Sequence, residues 1–238
     1  MNFGLGDGIA LALFLGLWAF YNWFTDYGPW SQRGLSQAMR RQRLRWMKVL
    51  LLRDLRMIDT AIMTGLQQGT GFFASSCIFA IGGCFALLGS ADRIAQISAD
   101  LPFQEPLDRR LVEMKLLGLV VIFAYAFFKF AWSYRLFNYC SILIGAVPMR
   151  AEAQADPERA ERAVRRAAEL NALAAQHFNA GLRAIFFALA YLGWFLGPGF
   201  LVATTLLVLG IVSHRQFFSS ARAAVVDGED DERGADAR

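Results

Sequence analysis

An ionisable side chain inside an apolar run is the first place to look for chemistry in this sequence. Lys129 lies within LLGLVVIFAYAFFKFAW, and the segment continues through WSYRLFNYCSILIGAVP. Charged groups in a membrane are costly and usually face a bundle interior, a water-filled space or the surface they can reach. Counted from Lys115 at the outer edge, Lys129 lies about 21 Å along a helix axis at 1.5 Å per residue. That is the inner half of a hydrocarbon core roughly 30 Å thick. From there a Lys either snorkels to the inner surface or lines a polar cavity. Arg135 and Asn138 share one helix face three residues apart and could join it, so Lys129, Arg135 and Asn138 form a candidate polar patch. A second candidate is the basic stretch RLRWMKVLLLRDLRMID and its flanks. Wound as a helix over 35–62, it puts Arg41, Arg45, Lys48, Arg56 and Asp59 on one face. Met39, Trp46, Met47, Leu50, Leu51, Leu55 and Ile58 fall on the other. Arg43 and Arg53 break that apolar face. Such a helix beside a bilayer rests in the interface, with its cations on anionic head groups.

Other chemistries find no pattern. Cys77, Cys84 and Cys140 make no CxxC pair, and free Cys in apolar surroundings is ordinarily a packing residue. His177 and His214 stand alone, short of any metal-ligand spacing. There is no P-loop, GxSxG, HExxH or dinucleotide fingerprint. No catalytic, metal or cofactor site is therefore expected, and the chain is not read as an enzyme.

The elements that would position these residues are apolar helices. Hydrophobic residues make up 56% of the 238 and charged ones 18%, against roughly 45–50% and 25% in soluble proteins. A span needs about 20 mostly apolar residues. Windows near 5–24, 71–90 and 115–134 qualify. The last, 181–214, is too long for one span and is split by Gly197-Pro198-Gly199. Proline lacks the helical N–H and disfavours helix before it, so two spans, 181–196 and 199–214, joined by a hairpin are expected. One kinked, tilted helix is the alternative. The first window lacks a basic leader and a small-residue cleavage site, and is read as a retained span.

Arginine and lysine set the orientation. Residues 33–56 and 150–183 are Arg-rich, while 91–114 is slightly acidic. Five spans, with the N-terminus outside and the C-terminus cytoplasmic, satisfy every loop. A single kinked helix would put Arg183 and Arg215 on opposite sides, which favours the hairpin. The second cytoplasmic helix is expected over 157–180. Asp156 serves as N-cap, Pro157 opens the first turn, and Glu158–Arg162 and Glu161–Arg165 are favourable i,i+4 pairs. Residues 94–106 could form a short interfacial helix and turn. The fold class is thus all-α: a multi-pass transmembrane helical bundle with cytoplasmic amphipathic helices over 1–222. An acidic disordered tail follows over 223–238, with six acidic residues and two Arg from Asp227 onward.

Two stretches, RLRWMKVLLLRDLRMIDTAIMTGLQQGTGFFASS and AFFKFAWSYRLFNYCSILIGA, together with the apolar regions around them, resemble the uncharacterised membrane family called domain of unknown function 599. The resemblance covers roughly residues 5–220. It implies a multi-pass membrane protein and supplies no activity, cofactor or functional residue.

The expected role is that of a non-enzymatic structural, accessory or assembly component of the cytoplasmic (inner) membrane. Its partners would be anionic lipid head groups and further copies or a larger membrane complex, with no nucleic acid. The alternative is a small oligomeric channel or transporter for anions, with Lys129, Arg135 and Asn138 near its inner mouth.

Overall fold

A computed structural model describes residues 4–93 and 108–226. The short helix considered over 94–106 and the acidic stretch from Asp227 lie outside the described residues. Among those residues there is no strand. The helices are α1 (Leu5–Tyr27), α2 (Leu35–Leu50), α3 (Met57–Leu88), α4 (Arg109–Gly145), α5 (Arg150–Ala155), α6 (Pro157–Tyr191) and α7 (Pro198–Phe217). Single 3₁₀ segments cover Ser31–Arg33 and Leu192–Leu196. Among the described residues five helices are long and apolar enough to cross a membrane: those beginning at Leu5, Met57, Arg109, Pro157 and Pro198.

Local chemistry accounts for several boundaries. At the start of α6, the Asp156 Oδ1 accepts the Arg159 backbone N–H at 3.0 Å, as an N-cap must. The Glu158–Arg162 and Glu161–Arg165 pairs close at 3.2 and 2.9 Å. They are exposed, so they align the helix surface and add little stability. At the other end, Gly197 adopts φ 126°, a conformation open only to glycine, and Pro198 begins α7. The chain then folds back. Thr204 donates to the Ala190 carbonyl at 2.7 Å, and a Cβ on Gly193 would stand 2.9 Å from the Phe200 carbonyl. The break at Gly197 thus yields two helices packed side by side.

The helix expected over 35–62 is interrupted. Helix α2 stops at Leu50, residues 51–56 form a turn and an irregular link, and α3 starts at Met57. The reason is a long-range contact. Trp46 Nε1 donates to Asp59 Oδ1 at 2.7 Å, and thirteen residues of unbroken helix would hold the two about 20 Å apart.

The chain forms two compact units. The first gathers the described residues up to Gly28, from Ala74 to Phe128 and from Ala180 to Ser213. Its core is aromatic. Phe14 meets Tyr191 edge-on at 5.5 Å between ring centroids, and Trp18 stacks on Phe187 at 5.7 Å. Trp194 and Leu201 are buried among them. The second unit gathers Pro29 to Phe73, Lys129 to Asn179 and the described residues from His214. Met47, Leu50, Met63, Phe137 and Val164 fill its core.

In the second unit α4 and α6 run antiparallel. Ser133 Oγ donates to the Ala174 carbonyl at 2.7 Å, and seven residues on, Cys140 Sγ reaches the Ala167 carbonyl at 3.4 Å. Ala160, Val164, Ala167, Asn171 and Ala174 form the buried stripe of α6 at alternating spacings of four and three. Small side chains are what allow a hydroxyl or thiol of one helix to reach the backbone of the other.

Gly197→Ala should lower stability by about 1–3 kcal/mol, because its backbone lies where side chains are strained. Gly199→Ala, in open space within α7, should be neutral or slightly stabilising. Unfolding midpoints in detergent check both. Equal losses at the two positions would refute the hinge assignment.

Candidate functional site

The polar side chains of the second unit are concentrated where α2, α3, α4 and α6 meet. Arg43 Nη1 hydrogen-bonds the Asn171 Oδ1. The Asn171 amide then donates to Met63 Sδ at 3.3 Å and to Cys140 Sγ at 3.6 Å. Asn171 is fully buried, so its amide needs these partners. Burial also pulls the Arg43 guanidinium below its ordinary basicity. The interruption of the apolar face at Arg43 therefore marks a hydrogen bond to a buried amide.

Arg53, the other interruption, pairs with Asp59 at 2.5 Å. The Asp59 carboxylate is buried and takes both Arg53 and Trp46 on Oδ1. Arg56 turns to the end of α4, where Nη1 donates to the Ile144 carbonyl of the last turn at 3.3 Å and to that of Val147, just beyond it, at 2.7 Å, while Nη2 donates to the Pro148 carbonyl at 2.6 Å. Helix C-termini leave carbonyls without intrahelical partners, and a guanidinium satisfies them while countering the negative end of the dipole.

The expected basic face is therefore divided. Arg56 is a helix cap, and Lys48 is paired with Glu161 at 3.3 Å. Arg45 is exposed and Arg41 half-buried. The apolar side of α2 is also occupied. Ala38, Met47 and Leu50 are buried within the protein, leaving Met39 exposed.

The patch considered around Lys129 is divided as well. Asn138 accepts a hydrogen bond from Gln67 of α3 at 2.8 Å, and Gln67 also reaches Ser141 at 3.1 Å. Arg135 is exposed. Its Nε donates to the Tyr139 hydroxyl at 2.6 Å, and its guanidinium lies 5.4 Å from that ring's centroid. Lys129 is half-buried on α4. Asn138 thus joins helices, while Arg135 lies along its own helix.

Two polar clusters of the first unit escaped the sequence reading. Lys115 is 1% exposed, and its Nζ donates to the Trp194 carbonyl at 2.7 Å while lying 5.1 Å from the Trp194 ring. The Trp194 indole in turn donates to Asp7 Oδ1 at 2.7 Å. The other Asp7 oxygen accepts the Gly4 backbone N–H at 3.3 Å and helps start α1. The second cluster is Arg183 of α6, whose Nε bonds Asn22 at 2.7 Å and whose Nη2 pairs with Asp26 at 2.8 Å. A signal for the first existed. The helix break at Gly197 frees carbonyls just before it, and Lys115 is the cation nearest the expected outer edge.

The cysteines are free and buried. Among the described residues no group of His, Cys, Asp and Glu could hold a metal ion.

These features define an all-α chain with five membrane-length apolar helices, tied by polar contacts within each unit. The family model described as protein of unknown function, DUF599, matches residues 9–221, and the chain belongs to that family. No curated protein and no solved structure matches it.

Arg43→Met should destabilise the protein by about 1–3 kcal/mol, because the buried Asn171 oxygen loses its donor. Arg43→Met combined with Asn171→Leu should cost less than the single change, since neither polar partner then remains. Chemical unfolding in detergent measures both. A double variant weaker than the sum of its parts would exclude a direct pairing.

Proposed function

We propose that this chain is a multi-pass protein of the cytoplasmic membrane that works as a non-enzymatic structural or accessory component. One observation carries the reading: polar groups on the apolar helices are engaged with one another. Asp7 and Lys115 meet at Trp194, Arg183 holds Asn22 and Asp26, and Gln67 holds Asn138. Interhelical contacts of this kind fix helix pairing in an apolar medium. Outward faces are apolar, with Phe79 79%, Phe128 70% and Leu207 63% exposed, as lipid or a neighbouring apolar helix requires. On this reading the N-terminus lies outside and the C-terminus inside, an orientation that the arginines of 33–56 and 150–183 support. Anionic head groups and other subunits, either further copies or a larger complex, are the partners on this reading.

The rival is a small oligomeric channel or transporter for anions around Lys129, Arg135 and Asn138. Flux through liposomes separates the two. The structural reading expects leak-level anion flux, unchanged by Lys129→Ala, and co-purification with one defined complex or as a stable oligomer. Robust currents that fall with Lys129→Ala would overturn it.

Orientation has its own test. Cysteines placed at Arg93 and Glu169, both exposed positions, should react with impermeant reagents from opposite sides of the membrane. Reaction of both from the cytoplasm would defeat the five-span arrangement.

A further inference from the structure

Beside the end of α4, the second unit carries a cleft of about 220 Å³. Leu143, Ala146 and Pro148 form one wall, and Arg159, Arg162 and Arg166 of α6 form the other. The three arginines stand at i, i+3 and i+7, so they project from one strip of the helix. That strip is displaced from the buried stripe that holds α6 against α4. The site is therefore built on a helix whose position is already set by Ser133 and Cys140.

The charge balance of the cleft is positive. Glu158 bonds Arg162 at 3.2 Å, but its carboxylate is 87% exposed and reaches only that one arginine. Glu161 turns the other way, to Lys48 and Arg165. Among the described residues, the guanidinium groups of Arg159 and Arg166 have no acidic partner. The end of α4, which would repel an anion, is covered by Arg56 on the Ile144 carbonyl, with further bonds to the Val147 and Pro148 carbonyls that follow. The Arg159 amide in the first turn of α6 does not contribute, because Asp156 already accepts it.

We propose that this cleft binds a phosphate ester. Guanidinium forks match phosphate oxygens in a planar, two-point geometry that ammonium groups do not reproduce. A fully hydrated small anion gains nothing from Leu143, Ala146 and Pro148, whereas the carbon part of an ester lies against them. The volume suits a head group or a small soluble ester and is too small for acyl chains. The ester is supplied either by an anionic phospholipid or by a soluble phosphomonoester. The site stands whether or not the protein conducts ions.

The test uses the full chain in phosphatidylcholine nanodiscs. Phosphatidylglycerol is incorporated in one series and glycerol 3-phosphate is added in another. Thermal midpoint and retained ligand by native mass spectrometry are read in each. At least one probe should raise the midpoint and be retained. Arg159→Gln with Arg166→Gln should cut retention by at least about tenfold, since each charge-assisted hydrogen bond lost is worth about that much or more. A response to the lipid alone identifies a membrane source, and a response to glycerol 3-phosphate identifies a soluble one. No response to either probe overturns the proposal, as does a response undiminished in the glutamine pair. Should that pair fail to fold in phosphatidylcholine, Arg159→Lys with Arg166→Lys keeps the charge and removes the fork. Undiminished retention there would be equally fatal.

Discussion

For a hydroxyl on one helix to donate to a backbone carbonyl of the next, the two backbones must come unusually close. Ser133 and Cys140 of α4 make that demand on α6 at Ala174 and Ala167. The small residues along the buried stripe of α6 meet it. Much of the second unit follows from this approach. Asn171, on the same stripe, is buried and must find partners, which Arg43, Met63 and Cys140 provide. Arg43 in turn holds α2 against the pair. The end of α4 is set beside the first turns of α6, and the arginine-walled cleft lies there.

Arginine has several roles here that a charge count treats as one. Arg43 holds a buried amide, Arg53 is paired with a buried carboxylate, Arg56 caps a helix, and Arg135 lies along a tyrosine. Only some cations of the stretch 33–56 are left for a membrane surface. Orientation inferred from that stretch does not depend on this division, because the positive-inside bias counts residues near the helix ends and not their contacts. Lipid affinity does depend on it. A helix with its apolar side already buried in protein cannot embed that side in a bilayer.

Features governed by neighbouring residues were legible in the sequence. Asp156 before Pro157, the Glu–Arg pairs four apart, and Gly197-Pro198-Gly199 each act within a turn or two of chain. Each does in the structure what its local chemistry requires. The apolar windows and the family's two distinctive stretches were legible for a similar reason, since length and composition identify them. The break at 51–56 was not, because no glycine or proline marks it. A helical period runs through residues 35–62, broken on its apolar face by Arg43 and Arg53 alone. What ends α2 is Asp59 accepting Trp46 and Arg53, a choice made by tertiary contact over local preference. The same limit applies to Lys129, Arg135 and Asn138. Spacing places residues on a face, but Gln67 of α3 decides what Asn138 meets.

The buried charges of the first unit show why an apolar helix keeps such costly residues. Lys115 lies against the last carbonyl-bearing turn before Gly197, where the 3₁₀ segment leaves backbone oxygens to be satisfied. Water does this at an ordinary helix end. In a non-aqueous surrounding the protein must supply its own donor. A lysine with its stem among aromatic rings and its ammonium on the Trp194 carbonyl is such a donor, and Asp7, held by the same tryptophan, supplies opposite charge. Removing the lysine would leave the Trp194 carbonyl with the Gly197 N–H alone and the Asp7 carboxylate without its neighbouring cation. The cluster therefore persists as a unit, and it ties the starts of α1 and α4 to the turn between α6 and α7.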